Sequence, residues 1–155
     1  MTMNDKHLAQ NQRIADNIRS HGWHCLHVLP VEAHQDSFTY SIGFGESHNA
    51  PEIVIFGMSR EKAQAALNQC AWLLRQGHVI RMDVEDGNIL TGGYNVIFRS
   101  IRSDHFDDYL GTAVRYYQGR PFEAVIMFFP DRQHRFPWDE GYDGMPMGEA
   151  LAMVR

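Results

Sequence analysis

From Phe38 to Gly57 the chain runs FTYSIGFGESHNAPEIVIFG, and it reads as strand, loop, strand. Phe38, Tyr40, Ile42 and Phe44 alternate with Thr39, Ser41 and Gly43, the period-2 pattern of a strand with one apolar and one small, polar face. Ile53, Val54, Ile55 and Phe56 are apolar without alternation, as in a central strand covered on both sides. Between them GESHNAP is rich in turn formers, and Pro51 marks the return to the sheet.

The flanking segments extend this pair into a sheet. Upstream, Asn4 or Asp5 can cap a helix to about Ser20, with Gly22 past its end. Its stripe of Leu8, Ile14, Ala15 and Ile18 is thin, which suits the sheet's edge or a partner. A strand follows, with Trp23, Cys25, His27 and Leu29 on one face and His24, Leu26 and Val28 on the other, until Pro30 ends it. After Gly57 the period changes to 3.6. Ser59 caps a helix whose Ala63, Ala66, Leu67, Cys70, Leu73 and Leu74 share one face, closed by Gly77. VIRMDVEDG then predicts a strand turning at Asp86-Gly87, and Tyr94 to Arg99 predicts another. A third helix runs from about Asp104, with Phe106, Tyr109, Leu110, Ala113, Val114 and Tyr117 at helical spacing. FEAVIMFFP closes the sheet, and residues 130–155 form a turn-rich tail. The order is not a regular alternation of strand and helix. It predicts one α+β domain over residues 1–155, a mostly antiparallel sheet of about six strands with two to three helices on it, or a half-open barrel.

Composition narrows the function. With 155 residues, 44% hydrophobic and 21% charged, the chain can bury a sizeable core. Its net charge of −5 argues against a nucleic-acid partner, which requires a basic face. The polar N-terminus is no signal peptide, and no apolar run nears the roughly 20 residues of a membrane helix. The expected location is the cytoplasm. Cys25 and Cys70, both among apolar neighbours, read as small buried hydrophobes and not as a disulfide framework.

No catalytic or metal constellation emerges. His24 and His27 fall on opposite strand faces, and no H-x-x-x-H or H-E-x-x-H spacing exists. His34 and His48, with Asp36, Glu46 and Glu52 close in sequence, are the remaining metal arrangement, and loop histidines without a metal are the expectation. Ser41 lacks a G-x-S-x-G turn, and Cys25 beside His24 and His27 lacks the geometry of a Cys/His pair. Gly43–Gly45 and Gly92-Gly93 match no nucleotide motif. What remains is a polar and aromatic candidate surface of Tyr40, Ser41, Gly43, His48, Glu52, Asp131, Arg135, Trp138, Asp139 and Tyr142. The competing reading folds Trp138 back over the core and lets Glu52 or Asp131 satisfy a turn or an arginine.

FTYSIGF, APEIVIFGMS, the helix ending at RQG, and FFPDRQHRFPWDEGY, in this order, resemble the bacterial family called domain of unknown function 4262. The match falls on Phe38, Tyr40, Gly43, Pro51, Glu52, Gly57, Pro130, Asp131, Phe136, Pro137 and Trp138, and spans Ile18 to Tyr142. Ser41 stands where the family commonly has Thr, and Phe44 where it has Leu. The resemblance implies no assigned activity. By analogy with small bacterial families that sit beside secreted toxins, the first expectation is a non-enzymatic binding protein, most concretely an immunity-type protein that occludes a toxin or effector and needs no cofactor. The alternative is a flavin- or nucleotide-type ligand protein or small enzyme, with Tyr40, His48, Glu52 and Asp131 in a pocket at the mouth of the sheet. A third is a structural subunit that self-associates through the first helix.

Overall fold

A computed structural model describes residues 2–32 and 35–154. Helix α1 (Met3–His21) starts at a reciprocal cap: Thr2 accepts from the Asp5 N–H, and Asp5 accepts from the Thr2 N–H. The cap thus lies before the predicted Asn4 or Asp5. Ile14 and Ile18 are buried while Leu8 is exposed, so the thin stripe covers the sheet through one turn and a half.

Six strands form one open sheet in the order β1-β2-β3-β6-β5-β4: β1 (His24–Val28), β2 (Phe38–Ile42), β3 (Glu52–Phe56), β4 (Glu85–Asp86), β5 (Val96–Ser100) and β6 (Ala124–Phe128). All pairs are antiparallel except β3 with β6, where Glu52 faces Ala124 and Val54 faces Ile126. The predicted α+β class and mostly antiparallel sheet hold; the sheet does not close into a barrel.

Both faces are covered. On one, Phe38, Tyr40, Ile42, Val54, Phe56, Ile126 and Phe128 pack against α1, α5 (Gly111–Tyr117), α6 (Gly148–Met153) and the tail's Phe136 and Met147. On the other, Ile53, Ile55, Val125, Met127 and Phe98 meet the apolar face of α3 (Arg60–Arg75). Ser59 caps α3 as predicted, accepting from the Lys62 N–H at 3.3 Å. Covering on both sides explains why β3 and β6 read as unbroken apolar runs.

Three local readings are corrected. Phe44 does not continue β2. It begins α2 (Phe44–His48), which occupies the segment read as loop. The segment 79–87 contributes only the short β4, because Asp83 takes a left-handed φ of 62° and turns the chain after a single bridge at Met82. The third helix is interrupted: a 3₁₀ turn (Ser103–His105) and α4 (Phe106–Tyr109) precede α5, and Leu110 between them has φ −116° and ψ 33°.

Candidate functional site

Glu52, the first residue of β3, has no solvent exposure. Its Oε1 accepts from Ser41 Oγ at 2.7 Å and the Phe44 N–H at 3.1 Å. Its Oε2 accepts from the Gly43 N–H at 3.0 Å, the Gly45 N–H at 3.2 Å and the Tyr117 hydroxyl. All five partners are donors, a set that fits an ionised carboxylate without a cation. Burial pushes the carboxyl above its ordinary range; the Tyr117 and Ser41 hydroxyls and the Gly43 and Gly45 N–H groups counter that push.

The local sequence makes this arrangement necessary. The ladder between β2 and β3 stops at Tyr40 facing Val54, and Ser41 Oγ takes the Ile53 N–H at 3.0 Å, which leaves the hydroxyl proton for Glu52. Gly43 then turns the chain with φ 121°; a Cβ there would lie 2.9 Å from Ile18 Cγ1 and 3.0 Å from the Gly22 carbonyl oxygen. Helix α2 has no side-chain cap of its own, and Glu52 satisfies the open N–H groups at its entry.

Asp131, just past β6, is the second such centre and is 7% exposed. Oδ1 accepts the N–H groups of Gln133 and Arg135, each at 2.9 Å. Oδ2 accepts the Asp143 N–H at 2.9 Å and Arg135 Nε at 3.0 Å. Burial works against the charge, yet the N–H groups of Asp143, Arg135 and Gln133 and the Arg135 guanidinium hold the carboxyl at about 2. Trp138 folds back over the core. It stacks on Phe136, meets the edge of Phe128, and carries the Arg99 guanidinium 3.8 Å from its ring centre.

The ten candidate residues therefore do not share one surface, which corrects that grouping. Tyr40, Ser41, Gly43 and Glu52 are interior, because the polar face of β2 is covered as fully as its apolar face. His48 ends α2, at the opposite end of the sheet from the tail. Arg135 and Trp138 fix the tail, Asp139 accepts the Phe136 N–H, and the Tyr142 hydroxyl donates to the Met145 carbonyl. For the same reason Tyr40, His48, Glu52 and Asp131 do not converge on one pocket.

The histidines are likewise dispersed. His24 bonds Asn17 and His27 bonds Thr39, while His34 lies outside the described residues. Among the described residues no group of three His, Cys, Asp or Glu side chains is placed to hold a metal ion. Cys25 does approach His27, Sγ to Nε2 3.7 Å, closer than strand rise suggests. Burial pushes its thiol up to about 11, so it stays protonated at neutral pH. No helix among the described residues is long and apolar enough to cross a membrane.

What the sequence did not reveal is a crevice of about 1140 Å³ at the carboxyl ends of β3 and β6. Beyond Phe56 the chain leaves for α3 on one face of the sheet, and beyond Phe128 it leaves for the tail on the other. Two parallel neighbours whose exits diverge open a cleft between them, the position where ligands bind in open sheets with parallel strands. Met58, Leu90, Phe129 and Pro130 give it apolar surface. Lys62 and Gln69 line it from α3, Tyr94 from the loop before β5, and Arg132, Tyr142 and Asp143 from the tail. Gln69 ties its wall to the Asn88 carbonyl at 3.0 Å, and Tyr94 stacks on His134 with ring centres 4.6 Å apart. Asp131 and Tyr142 belong to both the expected surface and this lining. The other contributors come from segments scattered along the chain, so no local motif could announce them.

Comparison with the curated proteins and with the solved structures returns no match. The sequence profile of one family does match, over residues 17–143, and this stretch holds both carboxylate centres and nearly the whole crevice lining. The chain belongs to the family described as domain of unknown function (DUF4262).

Proposed function

We propose that this protein works by binding a small organic ligand in the crevice at the carboxyl ends of β3 and β6. One observation carries the reading: the two parallel strands hand the chain to opposite faces and leave a cleft of about 1140 Å³ between α3 and the tail. Its lining mixes apolar and aromatic side chains with a few polar groups, the composition of small-molecule sites. Asp131 supports it from behind by fixing the turn that presents Arg132 and Gln133. Occlusion of a toxin is the other reading of the sequence, and the residues expected for it are divided among the interior, the end of α2 and the tail.

Crystallographic fragment screening tests the proposal. Bound fragments are expected between α3 and the tail, and Ala65→Trp, which places an indole into the cleft from an exposed helix position, should abolish them. Fragments that gather elsewhere and persist in Ala65→Trp would sink the reading.

A further inference from the structure

We infer that the crevice accepts an amphipathic organic anion, its acidic group held between Lys62 and Arg132 and its apolar body laid on Met58, Leu90 and Phe129. The inference rests on the crevice being the binding site. The chain as a whole carries a net charge of −5, but the cleft has the opposite balance. Lys62 enters from the first turn of α3 and Arg132 from the exit of β6, so the two cations stand on different walls. Among the described residues neither side chain has an ion pair or hydrogen-bond partner, whereas Arg99, Arg102, Arg120 and Arg135 are all engaged. The lining carboxylates are Asp131 and Asp143. The first is consumed by Arg135 and three backbone N–H groups, which leaves two free cations against one free carboxylate. Arg60 and Glu61, the neighbours of Lys62, act on Cys25 and His27 toward β1 and do not line the cleft. A positive cleft on an acidic protein concentrates anions locally. The apolar part of the lining includes two methionines, Met58 and Met145, whose flexible thioethers adapt to a ligand of irregular shape.

The test uses two fluorescent probes of nearly the same shape, anilinonaphthalene sulfonate, an anion, and phenylnaphthylamine, which is uncharged. Both are titrated into the full chain and into variants whose native fold is confirmed by cooperative thermal unfolding. The sulfonate is expected to bind and to weaken with added salt. In Lys62→Glu/Arg132→Glu its affinity should fall about tenfold or more, with phenylnaphthylamine unchanged. Both cations are at exposed positions, and Lys62→Gln/Arg132→Gln gives a milder version should charge reversal disturb folding. Unchanged sulfonate affinity in the charge variants, with both probes weakened by Ala65→Trp, would overturn the anion preference and leave the crevice standing. Failure of the sulfonate to bind, or indifference of both probes to Ala65→Trp, would overturn the inference, and the second result would remove the crevice reading as well.

Discussion

A carboxylate withdrawn from water loses several kcal/mol of hydration, and at Glu52 five donors instead of a cation offset part of that loss. The exchange makes each donor depend on the acceptor. Glu52→Ala would strand a serine hydroxyl, a tyrosine hydroxyl and three N–H groups, and should cost about 3–5 kcal/mol or prevent folding. Tyr117→Phe removes a single donor and should cost about 1 kcal/mol. Urea unfolding measures both, and a Glu52→Ala midpoint equal to wild type would refute the account. Polar residues in a strand read as exposed when only their own segment is in view, and this puts Ser41 and Glu52 on the expected surface while the fold buries both. Periodicity assigns them to faces but carries no information on what covers each face. A local signal did exist: a carboxylate opening the all-apolar run Ile53–Phe56, with a serine and a glycine just upstream, has no place in a buried strand unless backbone N–H groups receive it.

Before α6, residues 129–147 of the tail have no regular secondary structure, and Asp131 substitutes for the missing ladder. Its carboxyl is held at about 2 in the fold against an ordinary 3.8. A depressed value means that the contribution is present above pH 3.8 and disappears as pH falls from there through about 2. The indole N–H resonance of Trp138 should therefore be steady from pH 7 down to about 4 and move below it. In Asp131→Asn that acid step should be missing and the tail less ordered at pH 7. An identical acid step in the variant would assign it to another group. Sequence periodicity recovered α1, α3, β1, β2 and β5, and unbroken apolar runs recovered β3 and β6. It failed where one residue sets the backbone: the left-handed Asp83 broke the predicted strand, and Leu110 broke the predicted helix. Helix α6 is too short to display a repeat, and only Ala150 and Met153 face inward.

For the molecule as a whole, the hairpin of β2 and β3 was legible because its parts are adjacent in the chain, while the pairing of β3 with β6 was not. That parallel pair produces the crevice, so the same distance in sequence that hid the pairing hid the crevice. It also sets the order of assembly. Residues in β3 and β6 that pair are roughly seventy positions apart, and closing such a loop comes late and slowly. Refolding is expected on the millisecond-to-second scale and not in microseconds, as stopped-flow fluorescence would show. A chain ended before Ala124 should have no cooperative unfolding transition; a sharp transition in that fragment would mean that the hairpin side of the sheet is stable alone. During synthesis, the Ile53–Phe56 flank consequently emerges with its backbone groups unpaired until β6 follows, a sticky edge that makes the half-made protein a natural client for chaperones.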